Sequence, residues 1–239
     1  MLTGVVFPYS QVYSSHNTAV VNRMDSPSKP LVIELISSIH TCLCEHKHQY
    51  PFIQNVLDRL AEVSITREKL IQQRPSTVLH LENELAIALG NSEKHESIQA
   101  IGKAISAAGA SLPWRVDSGI YYATDANVGE SYVRGNMHCE LAGSEKSFFQ
   151  IPDFTLGLFL LGRQTSYLDH YHAAPEFYLN LTGPTQWRFD AESWQDMSAG
   201  SMLWNEPFRV HATRTNDIPF LAVYCWTRDV DKKCRVFEM

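Results

Sequence analysis

No apolar run in the sequence approaches the roughly 18 residues that a membrane-spanning helix requires, so a membrane is not an expected partner. There is no basic cluster either: 20 Lys and Arg stand against 26 Asp and Glu, a formal charge of -6. Without a concentrated positive face nothing marks a surface for phosphate backbones, and nucleic acid drops out as well. The cysteines are few, odd in number and scattered (Cys42, Cys44, Cys139, Cys225 and Cys234), which suits a reducing compartment better than a disulfide framework. The opening MLTGVVFPYSQVYSSHNTAV lacks the charged start and unbroken apolar run of a signal peptide, so the expected location is the cytoplasm. A phosphate-cradling glycine loop, a serine nucleophile elbow, a dinucleotide fingerprint, internal repeats and long linkers are also missing.

What is present is apolar and aromatic. With 44% hydrophobic residues in 239, the chain can bury one good core but is too short for more than one or two domains. Residues 1–29 show no period and end in the breaker-rich MDSPSKP, which predicts an irregular arm. From Pro30, a residue suited to a first helical turn, Val32, Leu35, Ile36, Ile39 and Leu43 form one helical stripe that should stop before Pro51. Further stripes are Ile53, Val56, Leu57 and Leu60, then Val78, Leu81, Leu85 and Ala88 with Gly90 as a cap, then Ile98, Ile101, Ile105 and Ala108 before Gly109. Residues 1–112 are thus expected to be a mainly helical region packed on the C-terminal half of the chain. The run CLCEHKH invites a metal reading, but on a helix Cys42 pairs with His46 and Cys44 with His48 on different faces, so a polar helix end is expected.

After Pro113 the period shifts from near four to two. Strands are expected at 120–123, 132–140, 154–161, 176–182, 186–189, 201–204, 210–214 and 220–226, with no helices between them. This predicts a mainly β fold, an antiparallel barrel or jelly roll over residues 113–239, rather than a parallel α/β sheet.

The most informative segment is GRQTSYLDHYHAAPEFYLNLTG, residues 162–183. His170 and His172 are two apart and point to one face of an extended segment; Glu176 and Tyr178 share a face likewise, with Phe177, Leu179 and Leu181 on the other. Two imidazoles and a carboxylate suit a borderline divalent ion such as Zn²⁺ or Fe²⁺, and His211, in WNEPFRVHATRTN, is the candidate further ligand from another strand. The plain alternative is a set of separate hydrogen-bonded histidines. Arg163, Arg188, Arg209 and Arg214 are carboxylate-binding candidates, though solvated charges are the simpler expectation for most of them.

The pattern His170-x-His172-xxx-Glu176-xxxxxx-Gly183 resembles the first cupin motif, with seven residues rather than five between Gly162 and His170. Gly200, Pro207, His211 and Asn216 resemble the second; Arg209 stands where its second glycine belongs, and Asn216 is one position late. More narrowly, Tyr167, Tyr178 and Trp226 are similar to residues of the cupin dimethylsulfoniopropionate lyases, which also carry a helical portion before the barrel. The resemblance implies a cupin double-stranded β-helix preceded by an α-helical region.

The resemblance further implies one divalent ion held by His172, Glu176 and His211, with His170 as fourth ligand or supporting partner. Spacing does not choose among Zn, Fe, Mn, Co and Ni. The implied substrate is a small zwitterion carrying a sulfonium, split by β-elimination to dimethyl sulfide and acrylate. Tyr178 is assigned proton abstraction and Tyr167 the role of supporting donor or alternative base, while coordination by Tyr178 until substrate displaces it stays open. Trp226 and Tyr224, on one strand face, would offer aromatic surface to the sulfonium. A homodimer is compatible with the resemblance, although no interface is legible. An iron dioxygenase and a non-catalytic ligand-binding cupin are the competing functions.

Overall fold

The computed structural model describes residues 30–77, 79–124, 126–190 and 192–237. The irregular arm expected at 1–29, and Val78 of the third helical stripe, lie outside the described residues. Helix α1 (Leu31–His46) starts directly after Pro30, whose carbonyl accepts from the amides of Ile33 and Glu34. It buries Leu35, Ile36, Ile39 and Leu43, as its stripe requires. Helix α2 (Ile53–Leu60) buries Ile53, Val56, Leu57 and Leu60. Helix α3 (Glu82–Ser92) runs through Gly90 instead of being capped there, because the Glu93 amide still reaches the Leu89 carbonyl. Helix α4 (Glu96–Ala108) buries Ile98, Ile101 and Ile105, and Gly109 continues it as a 3-10 turn at φ -47° rather than as a left-handed cap.

Two of the expected strands are corrected. At 120–123 there is only an isolated Tyr122 to Cys234 bridge: Asp117 Oδ1 accepts from the amides of Gly119 and Ile120 and folds the chain into a side-chain-stabilised turn. Residues 132–135, expected as the start of a strand, belong to helix α5 (Glu130–Gly135). Its end is marked by Asn136, whose Nδ2 donates to the Tyr132 and Asp117 carbonyls.

Strands β1 (Asn136–Gly143), β2 (Phe149–Gln150), β3 (Thr155–Leu161), β4 (Ser166–Tyr171), β5 (Glu176–Asn180) and β6 (Thr185–Phe189) come next. After them come β7 (Gln195–Met197), β8 (Met202–Asn205), β9 (His211–Arg214), β10 (Phe220–Trp226) and β11 (Arg235–Val236). They form a six-stranded sheet, β2-β1-β3-β10-β5-β8, and a five-stranded sheet, β11-β4-β9-β6-β7. The fold is a cupin jelly roll with its helices mainly N-terminal.

Strands of the larger sheet are buried on both faces, and their alternation sorts the side chains into two cores. Leu156, Leu158, Phe177, Leu179, Val223 and Cys225 join the helical stripes in one cluster; Phe159, Tyr178, Phe220 and Ala222 face the other way into the barrel with Trp187 and Phe189. Phe177, fully buried, meets Phe52 beside α2 at 6.2 Å between ring centres. Phe177→Ala is expected to cost about 3–5 kcal/mol, the usual range for emptying an aromatic core site. Urea denaturation checks it, and a loss under about 1 kcal/mol would show that helices and sheet do not share this core.

Candidate functional site

The smaller sheet carries the imidazoles. His170 on β4 and His211 on β9 are direct cross-strand partners, so their side chains leave the sheet side by side. His172 comes two residues after His170, where the amide of Phe208 donates to its carbonyl. Phe208 takes φ 63°, so the left-handed residue of this turn lies one position before Arg209, and Arg209 needs no glycine-like conformation.

Each ring is tied the same way. Nδ1 of His170 lies 2.7 Å from the Leu168 carbonyl, Nδ1 of His172 2.8 Å from that of Ala174, and Nδ1 of His211 2.9 Å from that of Arg209. A carbonyl only accepts, so each Nδ1 is the protonated nitrogen, and in a neutral ring Nε2 keeps its lone pair. All three residues are buried, and one ligand nitrogen of each lies within 4.8 Å of the others. Among the described residues this is the one group of three with metal-binding proximity. Nε2 of His211 is buried with no hydrogen-bond partner. An orphaned acceptor of this kind costs free energy unless something occupies the space it faces, so the three imidazoles fit a divalent transition metal. Burial, then the nearby His211 and His172, hold the His170 pKa well below the ordinary imidazole value.

Glu176 comes from the facing sheet. It pairs across strands with Asn205 on one side and Trp226 on the other. Its Oε2 lies 3.2 Å from His172 Nε2 and 3.3 Å from His211 Nε2, and accepts from Asn205 Nδ2 at 3.0 Å; its Oε1 accepts from Trp226 Nε1 at 2.7 Å. Burial pushes its pKa up, but the neighbouring His172 and His211 outweigh that and hold it well below the usual carboxylate range. The carboxylate thus sits against two of the rings and outside the tight imidazole group. Asn205 was invisible in the sequence, because nothing local says which strand lies beside Glu176.

Glu176, Tyr167, Tyr178, Tyr224 and Trp226 line one cavity of about 140 Å³, roomy for a small molecule when a single water site needs roughly 10–15 Å³ on the same measure. Tyr178 is buried, and burial followed by the Glu176 charge raises its pKa well above the phenol value. Tyr167 accepts from the Tyr122 hydroxyl at 2.7 Å and is sandwiched between Tyr132 and His170, with ring centres 4.2 and 4.1 Å away. Burial raises the Tyr167 and Tyr224 pKa values too. Trp226 lies 4.8 Å from the His172 ring, so its indole both donates to Glu176 and presents a face to the cavity.

The arginines are spoken for elsewhere. Arg163 pairs with Glu84, Arg188 with Asp169 and Arg209 with Asp190, while Arg214 donates to Gln186. In the CLCEHKH run, His46 Nδ1 bonds the Cys42 carbonyl and Cys44 Sγ approaches His40, the ordinary contacts of a helix end. Sequence reasoning missed Tyr121, His138 and Glu140, which line the same cavity from the stretch before β1 and from β1 itself.

A family model described as dimethylsulfoniopropionate lyase matches residues 48–222. Solved structures similar in fold include two of dimethylsulfoniopropionate lyases. One is a chain from the crystal structures of the dimethylsulfoniopropionate lyases RdDddP and RnDddQII, 18% identical, covering 87% of this chain and 98% of that one at a TM-score of 0.62. The other is the dimethylsulfoniopropionate lyase DddQ from Ruegeria pomeroyi DSS-3, 20% identical, covering 87% and 97% at a TM-score of 0.59. Among curated proteins none matches the chain.

Proposed function

Because the chain belongs to the dimethylsulfoniopropionate lyase family, and is therefore a carbon–sulfur lyase, we propose that it splits dimethylsulfoniopropionate by β-elimination, with Tyr178 as base and His170, His172 and His211 holding a divalent metal beside Glu176. The observation that carries this reading is the set of three imidazoles, each tethered at Nδ1 to a main-chain carbonyl, two of them against Glu176, which lines the same cavity as the buried Tyr178.

When bound, the metal supplies positive charge that draws the substrate carboxylate and favours the ionised form of an adjoining phenol. The chain does the rest. Tyr178 oxygen takes the proton from the carbon next to the carboxylate; the C–H electron pair becomes the new C=C bond, the C–S bond breaks, and its pair neutralises the sulfonium to dimethyl sulfide. Glu176, with Oε2 3.2 and 3.3 Å from the His172 and His211 Nε2 atoms, would be the carboxylate ligand beside them, and Asn205 and Trp226 hold it by hydrogen bonds. Tyr167, stacked on His170, steadies that ring and is the alternative base. Family membership favours this chemistry over the dioxygenase and the non-catalytic cupin.

The direct test is headspace dimethyl sulfide, with acrylate by NMR, from chelated protein supplied in turn with Zn²⁺, Fe²⁺, Mn²⁺, Co²⁺ and Ni²⁺. Product should appear with at least one metal and vanish on chelation. Equal release with and without metal would remove the metal from the reaction, and no release with any of them would remove the substrate.

A further inference from the structure

We propose that Glu140 supplies the counter-charge for the cationic end of the substrate: the zwitterion lies across the cavity with its carboxylate toward the imidazoles and its onium group against Glu140 and the rings of Tyr121 and Tyr224. The inference rests on the lyase reading for the identity of the zwitterion, but the charge it assigns to this wall can be measured without turnover.

The sheet register sets the arrangement. Glu140 on β1 is opposite Gly157 on β3, Gly157 is opposite Tyr224 on β10, and Tyr224 is opposite Tyr178 on β5. Directly opposed residues of neighbouring strands leave the same face of the sheet, and Glu140, Tyr224 and Tyr178 all line the same cavity. Gly157 is required in this row. A Cβ there would come within 2.6 Å of the Tyr224 ring and 2.4 Å of the Cys139 carbonyl, so the tyrosine ring lies over the bare backbone, on the side toward Glu140. Tyr121 completes the wall: its ring meets Trp226 edge-on at 6.3 Å, and its hydroxyl lies 3.3 Å from Glu140 Oε1 and 3.0 Å from His138 Nε2.

Glu140 is only 5% exposed. Its side chain accepts from hydroxyls alone, those of Tyr121, Ser144 and Ser147, and among the described residues no lysine or arginine forms an ion pair with it. A carboxylate taken out of water is costly unless a cation or several donors answer it. Neutral hydroxyls answer part of that cost and leave one side facing a cavity walled by aromatic rings. A sulfonium has no N–H to donate, so what can recognise it is charge and ring faces, and this wall offers both.

The kinetic consequence comes from the sign of the charge. Once the C–S bond breaks, the sulfur is neutral and its attraction to Glu140 is gone, which favours departure of dimethyl sulfide. The same loss means that Glu140 binds the starting zwitterion more strongly than the state in which positive charge is vanishing. Its removal should therefore raise KM rather than lower kcat.

The experiment uses the metal-loaded full chain and its Glu140→Gln variant with two unreactive probes. Trimethylsulfonium carries the charge without a carboxylate; 4-methylpentanoate is the uncharged isostere of the substrate with the carboxylate kept. By calorimetry, Glu140→Gln should weaken trimethylsulfonium about tenfold or more and leave 4-methylpentanoate within about twofold, as expected for loss of one counter-charge in a partly desolvated site. With dimethylsulfoniopropionate, KM should rise about tenfold while kcat stays within about threefold. A folded variant that binds trimethylsulfonium as the parent does, or that weakens both probes alike, overturns the proposal. If the variant does not fold, intermolecular NOEs from the trimethylsulfonium methyls to the Tyr121 and Tyr224 rings in the parent decide, and their absence overturns it. A parent that cleaves nothing yet binds trimethylsulfonium through Glu140 would refute the lyase reading and leave this charge assignment standing.

Discussion

His211→Ala is expected to abolish tight metal binding and, with it, release of dimethyl sulfide. Loss of a mere outer-shell partner typically costs 10–100-fold in affinity, so loss of one of three clustered imidazoles should cost roughly a hundredfold or more. The metal-free fold should hardly notice. The change removes a buried Nε2 that makes no hydrogen bond, but it also deletes the Nδ1 tether to the Arg209 carbonyl and leaves a small void, opposing terms of about 1–3 kcal/mol each. The signature is therefore a difference in melting behaviour. In the parent, metal at a hundredfold excess over Kd should stabilise by about 2.7 kcal/mol, a rise the variant lacks. A variant that retained both the metal-induced rise and activity would show that His211 is no ligand.

Tyr178→Phe is the second large effect. Removing a general base typically costs about 10²–10⁴ in rate, so dimethyl sulfide release should fall by that factor while metal affinity and melting temperature stay near the parent values. The ring that fills the barrel beside Trp187 and Phe220 is preserved in phenylalanine, so packing is not the variable. Tyr167→Phe makes the contrast. It keeps the stack between Tyr132 and His170 and removes only the oxygen that accepts from Tyr122, so a much smaller loss is expected. If instead Tyr178→Phe turned over at the parent rate and Tyr167→Phe did not, the two roles would be exchanged.

Local pattern carried a good deal of this molecule. The stripes of α1, α2 and α4 face the core as their spacing predicts, and β10 runs over the expected Phe220–Trp226. The failures lie where a side chain far away, or just outside the window, decides. Ile120 to Ala123 has strand-like residues, but Asp117 turns the chain first. Tyr132 and Val133 favour strands by type, yet they sit in α5 between Gly129 at φ 84° and the Asn136 side chain.

The His170, His172, Glu176 and His211 set could be written down because alternation groups His170 with His172, and the resemblance to two cupin motifs supplies Glu176 from the first and His211 from the second. Asn205 and Glu140 could not. Each joins the site only through strand pairing, Asn205 beside Glu176 and Glu140 two strands away from Tyr224, and neither partner is encoded near its own position.

The three Nδ1 tethers also bear on how this cavity can change. Because Leu168, Ala174 and Arg209 hold the rings through amide carbonyls, the identity of their side chains is irrelevant to that hold. Cavity walls can thus be rebuilt, by divergence or by a randomised library, while the nitrogen cluster persists unaltered: substrate preference is free to drift on a scaffold whose three imidazoles are anchored in the polypeptide backbone itself.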